Sequence, residues 1–209
     1  MLVNPETCKI FNLPNVGYMV DTVPQEIMQA VRQETDGIFE SNFTNSAPKN
    51  QDLVGHIDKE FEMTRCNSIL EPYVQEMTRV YQDVFKYSTI QRSELVSLWA
   101  KYQEKYEFNP IHDHDADISF VIWVKIPYNK EDEQKQFTKT NERAVNGEFH
   151  FIYSDVFGNR GSLCPQEQEG GIALFSSKLQ HMVYPFYTSD EYRVSVAGNL
   201  LFENSTYRK

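Results

Sequence analysis

The sequence predicts an α+β protein, with helices in the first half and a barrel or sandwich of short strands in the second. Three observations carry this. Apolar residues recur at three- and four-residue steps up to about residue 90 and at two-residue steps afterwards. The later half breaks into many short runs rich in β-branched and aromatic residues, each bounded by turn-forming residues. The chain has 209 residues and is 40% hydrophobic, enough for one domain to bury a core without disulfides or a structural metal. The expected division is a single domain over 1–209, with 1–90 as mainly helical support and 91–209 as the β core.

The elements follow in order. Residues 22–41 read as a helix: Thr22 and Gln25 match a capping box, Pro24 suits the first turn, and Ile27, Val31 and Ile38 share a face. Residues 42–49, rich in Asn, Ser and Pro, read as a loop. A second helix is marked by Leu70, Tyr73, Val74, Met77, Tyr81, Val84 and Phe85, with Pro72 expected in its first turn. Strands are expected at 94–102, 117–126, 148–153, 171–175, 181–186 and 191–202. Phe149, Phe151 and Tyr153 then fall on one strand face. The polar stretch 128–146 has the length of a lid or an insertion.

Composition narrows the function classes. A formal net charge of −10 argues against unaided binding to long nucleic acid, which needs clustered Lys and Arg. The three cysteines, Cys8, Cys66 and Cys164, are widely spaced and form no C-x-x-C pair, which fits a reducing compartment. The first thirteen residues lack the pattern of a signal peptide, and the apolar run 118–127 is too short for a membrane span. A cytoplasmic protein without a membrane partner is expected. No dinucleotide-binding glycine fingerprint, phosphate loop or nucleophile elbow is present.

The chemistry concentrates on histidine. His112 and His114 stand two residues apart before the strand that holds Ser119 and Trp123, and in extended backbone such residues face the same side. They can share one metal. His181, which follows the strand opened by Gly170-Gly171, is the candidate third ligand. Arg193 lies in an apolar strand two residues before Ser195. Inside a barrel it would need an anionic partner, and a carboxylate suits a guanidinium best. The bland alternatives are surface histidines, a solvated acidic loop over 113–117, and an exposed Arg193 paired with Asp190 or Glu191. His56 and His150 have no such context and read as structural or exposed.

A histidine motif before a strand, a distal histidine and an Arg-x-Ser twelve residues after it resemble the iron(II)/2-oxoglutarate-dependent dioxygenases. The stretch 109–128, NPIHDHDADISFVIWVKIPY, more closely resembles a subgroup of uncharacterised oxygenases with an Asn-x-x-His-x-His motif. The resemblance covers about 95–203 and is nearest in flavour to phage-encoded members, which would put the protein in a host cytoplasm. It implies a double-stranded β-helix, a jelly-roll or cupin-like barrel, with N-terminal buttressing helices. It also implies iron(II), 2-oxoglutarate as co-substrate and O2. The activity it implies is hydroxylation of a C–H bond, with release of succinate and CO2, on a peptidyl or small-molecule substrate. By the same resemblance His112, His114 and His181 hold the metal, and Arg193 and Ser195 bind the distal carboxylate. Ser119, Trp123 and Tyr102 would line the co-substrate pocket. One departure stands out: His114 occupies the place where the usual triad has a carboxylate. Either three histidines bind the metal, or the loop turns Asp115 or Asp117 inward. Two other classes remain open: a three-histidine metal cupin that does not use 2-oxoglutarate, and a non-catalytic barrel module.

Overall fold

The structure, a computed structural model, describes residues 17–49, 54–85, 89–136, 144–155 and 157–208. In chain order they form β1 (Tyr18–Thr22), α1 (Gln25–Glu40), β2 (Glu60–Glu62), α2 (Asn67–Val84), β3 (Ser93–Gln103), β4 (Asn109–His112) and β5 (Ile118–Lys125). There follow α3 (Lys130–Lys135), β6 (Phe149–Ser154), β7 (Arg160–Leu163), β8 (Gly171–Ser176), β9 (His181–Val183) and β10 (Arg193–Phe202).

The strands make two antiparallel sheets. One has six strands in the order β1-β8-β5-β10-β3-β2, the other four in the order β4-β9-β6-β7. From β3 onward the chain passes back and forth between the sheets, which is the winding of a double-stranded β-helix. The expected strands are all present, although the one expected over 181–186 ends at Val183. The short strands β1, β2, β4 and β7 were not foreseen, because three to five residues are too few to show a period. β1 and β2 add an edge strand at either side of the large sheet, so the N-terminal part contributes strands as well as helices.

The large sheet separates two apolar layers. Its outer face packs under the helices: Ile27, Val31 and Ile38 of α1 and Leu70, Val74, Met77 and Tyr81 of α2 meet Leu98, Ala100, Ile122, Leu174 and Val196. Each such aliphatic side chain contributes about 1.5–3 kcal/mol by leaving water. The inner layer, between the sheets, is smaller and more aromatic: Val121, Trp123, Phe149, Phe151, Ala173, Phe175 and Leu179.

Two local expectations change. The capping box at Thr22 does not form. It would make Val23, the residue before a proline, helical, which the proline ring disfavours. Thr22 instead ends β1 opposite Gly171, and Pro24 is the N-cap of α1 without a side-chain cap. The second helix starts at Asn67, so Pro72 sits inside α2 rather than in its first turn. Glu34 of α1 ties the helices together: its carboxylate accepts the backbone N–H groups of Thr64, Arg65 and Cys66 at 2.8, 2.9 and 2.8 Å, just before α2 begins.

The lid expectation over 128–146 meets a docked helix. Asn129 caps α3 by accepting from Glu131 and Asp132, and the buried Glu133 accepts the backbone N–H groups of Tyr187 and Thr188. Tyr128 stacks on Phe186 with ring centroids 4.8 Å apart. Residues 137–143 of that stretch, and Cys8 with the N-terminal segment before Gly17, lie outside the described residues. Neither Cys66 nor Cys164 is in a disulfide among the described residues, and Cys164 Sγ donates to the Pro165 carbonyl at 3.2 Å. No described helix is long and apolar enough to cross a membrane.

Candidate metal centre and inner cavity

The small sheet brings the histidines together by register. His112 of β4 lies directly opposite His181 of β9, so their side chains leave the same face as nearest cross-strand neighbours. His114, two residues on, follows the alternation of extended backbone although the strand has ended; its N–H is held by the carbonyl of Ser177 at 3.0 Å. The three rings converge, with centroids 4.2 Å apart for His112–His181 and 5.1 Å for each of the other pairs. One nitrogen from each lies within 4.8 Å of the others.

The ring orientations suit a metal. His112 Nδ1 is 2.8 Å from the carbonyl oxygen of Pro110 and His181 Nδ1 is 3.0 Å from that of Leu179. A carbonyl only accepts, so each Nδ1 carries the proton and each Nε2 keeps its lone pair for a cation. All three imidazoles are held neutral. Burial, then the closeness of His112, Lys101 and Lys178 to any proton it would gain, pushes His114 down to about 3. Burial pushes His181 well below its ordinary value and lowers His112. Neutral imidazoles in an open set of three are a donor set for a first-row divalent metal, and nothing in the arrangement opposes iron(II).

The alternative carboxylates go elsewhere. Asp113 and Asp115 turn outward to Lys178 Nζ, at 3.0 and 2.9 Å. Asp117 accepts the N–H of Phe202 at 2.8 Å and so pins β10. His114, rather than Asp115 or Asp117, completes the cluster with His112 and His181.

Behind the histidines a narrow cavity of about 40 Å³ runs into the barrel, past Trp99, Lys101, Ser119, Ser195 and Gln103 to Arg193. That is room for a few waters. In front of them an open cleft of about 340 Å³ is bordered by Ser97, Trp99, Asp113 and Asn199. The histidine cluster thus lies between the narrow inner cavity and the open outer cleft. β10 explains the lining of the inner space, since Arg193 and Ser195 sit opposite Gln103 and Lys101 of β3 on the inward face.

The other predicted residues divide. Ser195 and Ser119 both line the cavity, and Ser119 donates to Asn199 Oδ1 at 2.7 Å while Ser177 Oγ lies 2.8 Å away. Trp123 is on the inward face, fully buried and edge-on to Phe149, but it does not reach the cavity wall. Its Nε1 has no acceptor among the described residues. Tyr102 is a correction. It alternates with Lys101 and Gln103, so it points to the helix side, where its hydroxyl donates to the Thr35 carbonyl at 2.6 Å. His56 is exposed and stacks on Phe108, and His150 is buried in a 2.6 Å pair with Glu148, beside Cys164.

Arg193 is 3% exposed, which removes the surface reading with Asp190 or Glu191. Those two pair with Lys105 and Lys125 instead. The partner of Arg193 is one that pattern did not indicate: Glu167 Oε1, 2.7 Å from Nη2, with its side chain fully buried. Glu167 lies between β7 and β8 in irregular backbone, where no alternation tells which way a side chain points. Lys101 was also missed, although its place between Trp99 and Gln103 marks it as inward. It lies 3.1 Å from the buried Glu60.

Residues 97–199, from β3 through β10, match the family model described as "Putative 2OG-Fe(II) oxygenase". This chain belongs to the iron(II)/2-oxoglutarate-dependent oxygenases. The oxygenase has the same fold as several solved structures. A Pseudomonas putida prolyl-4-hydroxylase is 13% identical, with 90% of this chain and 94% of that one covered at a TM-score of 0.58. A viral collagen prolyl hydroxylase from Paramecium Bursaria Chlorella virus-1, solved with 2-oxoglutarate, is 10% identical, covering 88% and 94% at 0.52. A non-heme alpha ketoglutarate dependent carbocyclase from nogalamycin biosynthesis is 10% identical, covering 92% and 82% at 0.59. No curated protein matches by sequence. The oxygenase therefore uses iron(II), 2-oxoglutarate and O2, and the readings as a metal cupin without 2-oxoglutarate or as a non-catalytic module fall away.

Proposed function

We propose that His112, His114 and His181 hold the iron through their Nε2 atoms, and that the inner cavity takes 2-oxoglutarate with its distal carboxylate toward Arg193 and Ser195. The observation that carries this is the pair of fixed tautomers on His112 and His181, aimed with His114 at one point between cavity and cleft. Bound there, the iron and co-substrate supply the oxidising power for C–H hydroxylation. The chain's own part is to orient the ligands, keep them neutral, and hold the co-substrate by charge in a water-poor space.

The primary substrate then approaches from the outer cleft. That cleft is open and partly polar, and it admits a side chain presented on a polymer as well as a small molecule. We further propose that the chain works as one unit, the barrel over 91–209 carrying the chemistry and 1–90 bracing its large sheet.

The test is an anaerobic titration of the iron(II)-loaded protein with 2-oxoglutarate, read by visible absorption. A chelate charge-transfer band is expected in the native protein, absent in His181→Ala and in His114→Ala, and weakened in Arg193→Ala. His114→Asp rebuilds a two-histidine, one-carboxylate set and should regain the band. Asp115→Ala should keep it. Loss of the band in Asp115→Ala but not in His114→Ala would overturn the three-histidine assignment.

A further inference from the structure

Arg193 carries a full set of observations that the co-substrate role alone does not explain. It is buried and already bonded to a carboxylate: Nη2 donates to Glu167 Oε1 at 2.7 Å, Nη1 reaches Gln103 Oε1 only at 3.5 Å, and Nε has no acceptor among the described residues. Glu167 is equally committed. Its Oε1 also accepts the N–H of Phe149 at 2.8 Å, and its Oε2 faces Lys130 Nζ at 3.4 Å without an aligned hydrogen bond. Lys130 is the exposed member of this chain of charges, with 41% of its side chain in contact with solvent. The cavity that ends at Arg193 has about 40 Å³, too little for the ten non-hydrogen atoms of 2-oxoglutarate.

We infer that Glu167 is an internal competitor for the co-substrate: it occupies Arg193 with a carboxylate of its own, and 2-oxoglutarate gains its place by exchanging its distal carboxylate for that of Glu167. This rests on the proposed placement of the co-substrate. The exchange is charge-neutral at Arg193, so the guanidinium is never left buried and unpaired, the costly state. The displaced carboxylate has a cation at hand, since Lys130 lies on its far side and toward solvent. Glu167 sits in the non-strand segment between Leu163 and Gly171, so its displacement breaks no strand of either sheet and gives up, besides Arg193, the N–H of Phe149.

The device selects for co-substrate chemistry. A 2-oxo acid with the same chelating end but no distal carboxylate, such as 2-oxobutanoate, cannot take Arg193 from Glu167 and finds the cavity closed. A dicarboxylate of the right length opens it. Glu167 is thus a specificity-determining residue in addition to being a buried ion-pair partner.

The experiment compares native protein and Glu167→Gln, both iron(II)-loaded and anaerobic, by calorimetric titration with 2-oxoglutarate and, separately, 2-oxobutanoate. Glutamine keeps the shape and gives up the charge. The substitution should tighten 2-oxoglutarate binding roughly tenfold, what one charge-assisted hydrogen bond is worth in a competition, and leave 2-oxobutanoate unchanged. Weaker 2-oxoglutarate binding, or equal shifts for both acids, would overturn the proposal and leave Glu167 as a prop for Arg193. Hydrogen exchange on the native protein gives a second readout that needs no variant: 2-oxoglutarate, but not 2-oxobutanoate, should raise exchange over 165–170. Unchanged or reduced exchange there would count against displacement. A native protein that binds iron but no 2-oxoglutarate at all would instead sink the underlying placement.

Discussion

The two faces of the six-stranded sheet are built from the same strands and do opposite work. On β3 the outward residues Leu98, Ala100 and Tyr102 enter the core beneath α1 and α2, while the inward residues Trp99, Lys101 and Gln103 line the cavity. β10 repeats this, with Val194 and Val196 outward and Arg193 and Ser195 inward. The outer face is apolar and held by close packing. The inner face buries two cations and Ser119, which cost stability unless paired. Period-two alternation therefore lets one strand spend stability on chemistry on one side while regaining it on the other.

If the division is real, substitutions on the two sides should separate cleanly. The largest effects belong to a paired test. His181→Ala should weaken iron(II) binding by more than about a hundredfold, the scale on which even partners of metal ligands act, with little change in the neutral-pH unfolding midpoint. Leu174→Ala, fully buried on the outer face, should cost about 2–5 kcal/mol of stability and leave iron affinity of the folded fraction intact. Denaturant unfolding beside metal titration decides it. A large stability loss in His181→Ala would show that the faces are not independent.

A smaller effect concerns acid. Burial, with the nearby charges, holds His114 down at about 3, and burial lowers His112 and His181 as well. The unfolded chain protonates His114 near 6.5, so between that value and about 3 it binds a proton there that the folded metal-free protein does not, and His112 and His181 act in the same direction. Stability must then fall as the pH is lowered through that window, by up to about 1.4 kcal/mol per pH unit from His114 alone. Metal-free His114→Ala should show a shallower decline than the native protein when unfolding is followed from pH 7 to pH 4. An identical slope would mean that His114 titrates normally.

What the sequence disclosed follows the same division. The outer face was legible because repeated apolar spacing along β3, β5 and β10 reports a face packed on helices. The triad was legible because His112 and His114 keep the alternation and His181 stands where the family resemblance places a ligand. Glu167 was not, since it reaches Arg193 from irregular backbone between β7 and β8, and only the folded chain brings them to 2.7 Å. The choice between His114 and the aspartates was equally hidden. It depends on Lys178, more than sixty residues away, drawing Asp113 and Asp115 outward.

Tyr102 gives the finest test of the comparison, because family resemblance and alternation disagree about it. Resemblance puts its hydroxyl in the co-substrate pocket. Alternation from Lys101 puts it with the helices, and there it donates to the Thr35 carbonyl at 2.6 Å. Tyr102→Phe removes that one hydrogen bond and keeps the ring among Phe43, Phe61 and Tyr192. The expected cost is about 1 kcal/mol of stability, the usual net worth of a buried neutral hydrogen bond, with 2-oxoglutarate affinity unchanged. A stability change with no binding change places Tyr102 with the scaffold. A binding change with no stability change would mean that the sheet presents this residue inward after all, and the two-faced account of β3 would have to be redrawn from that position.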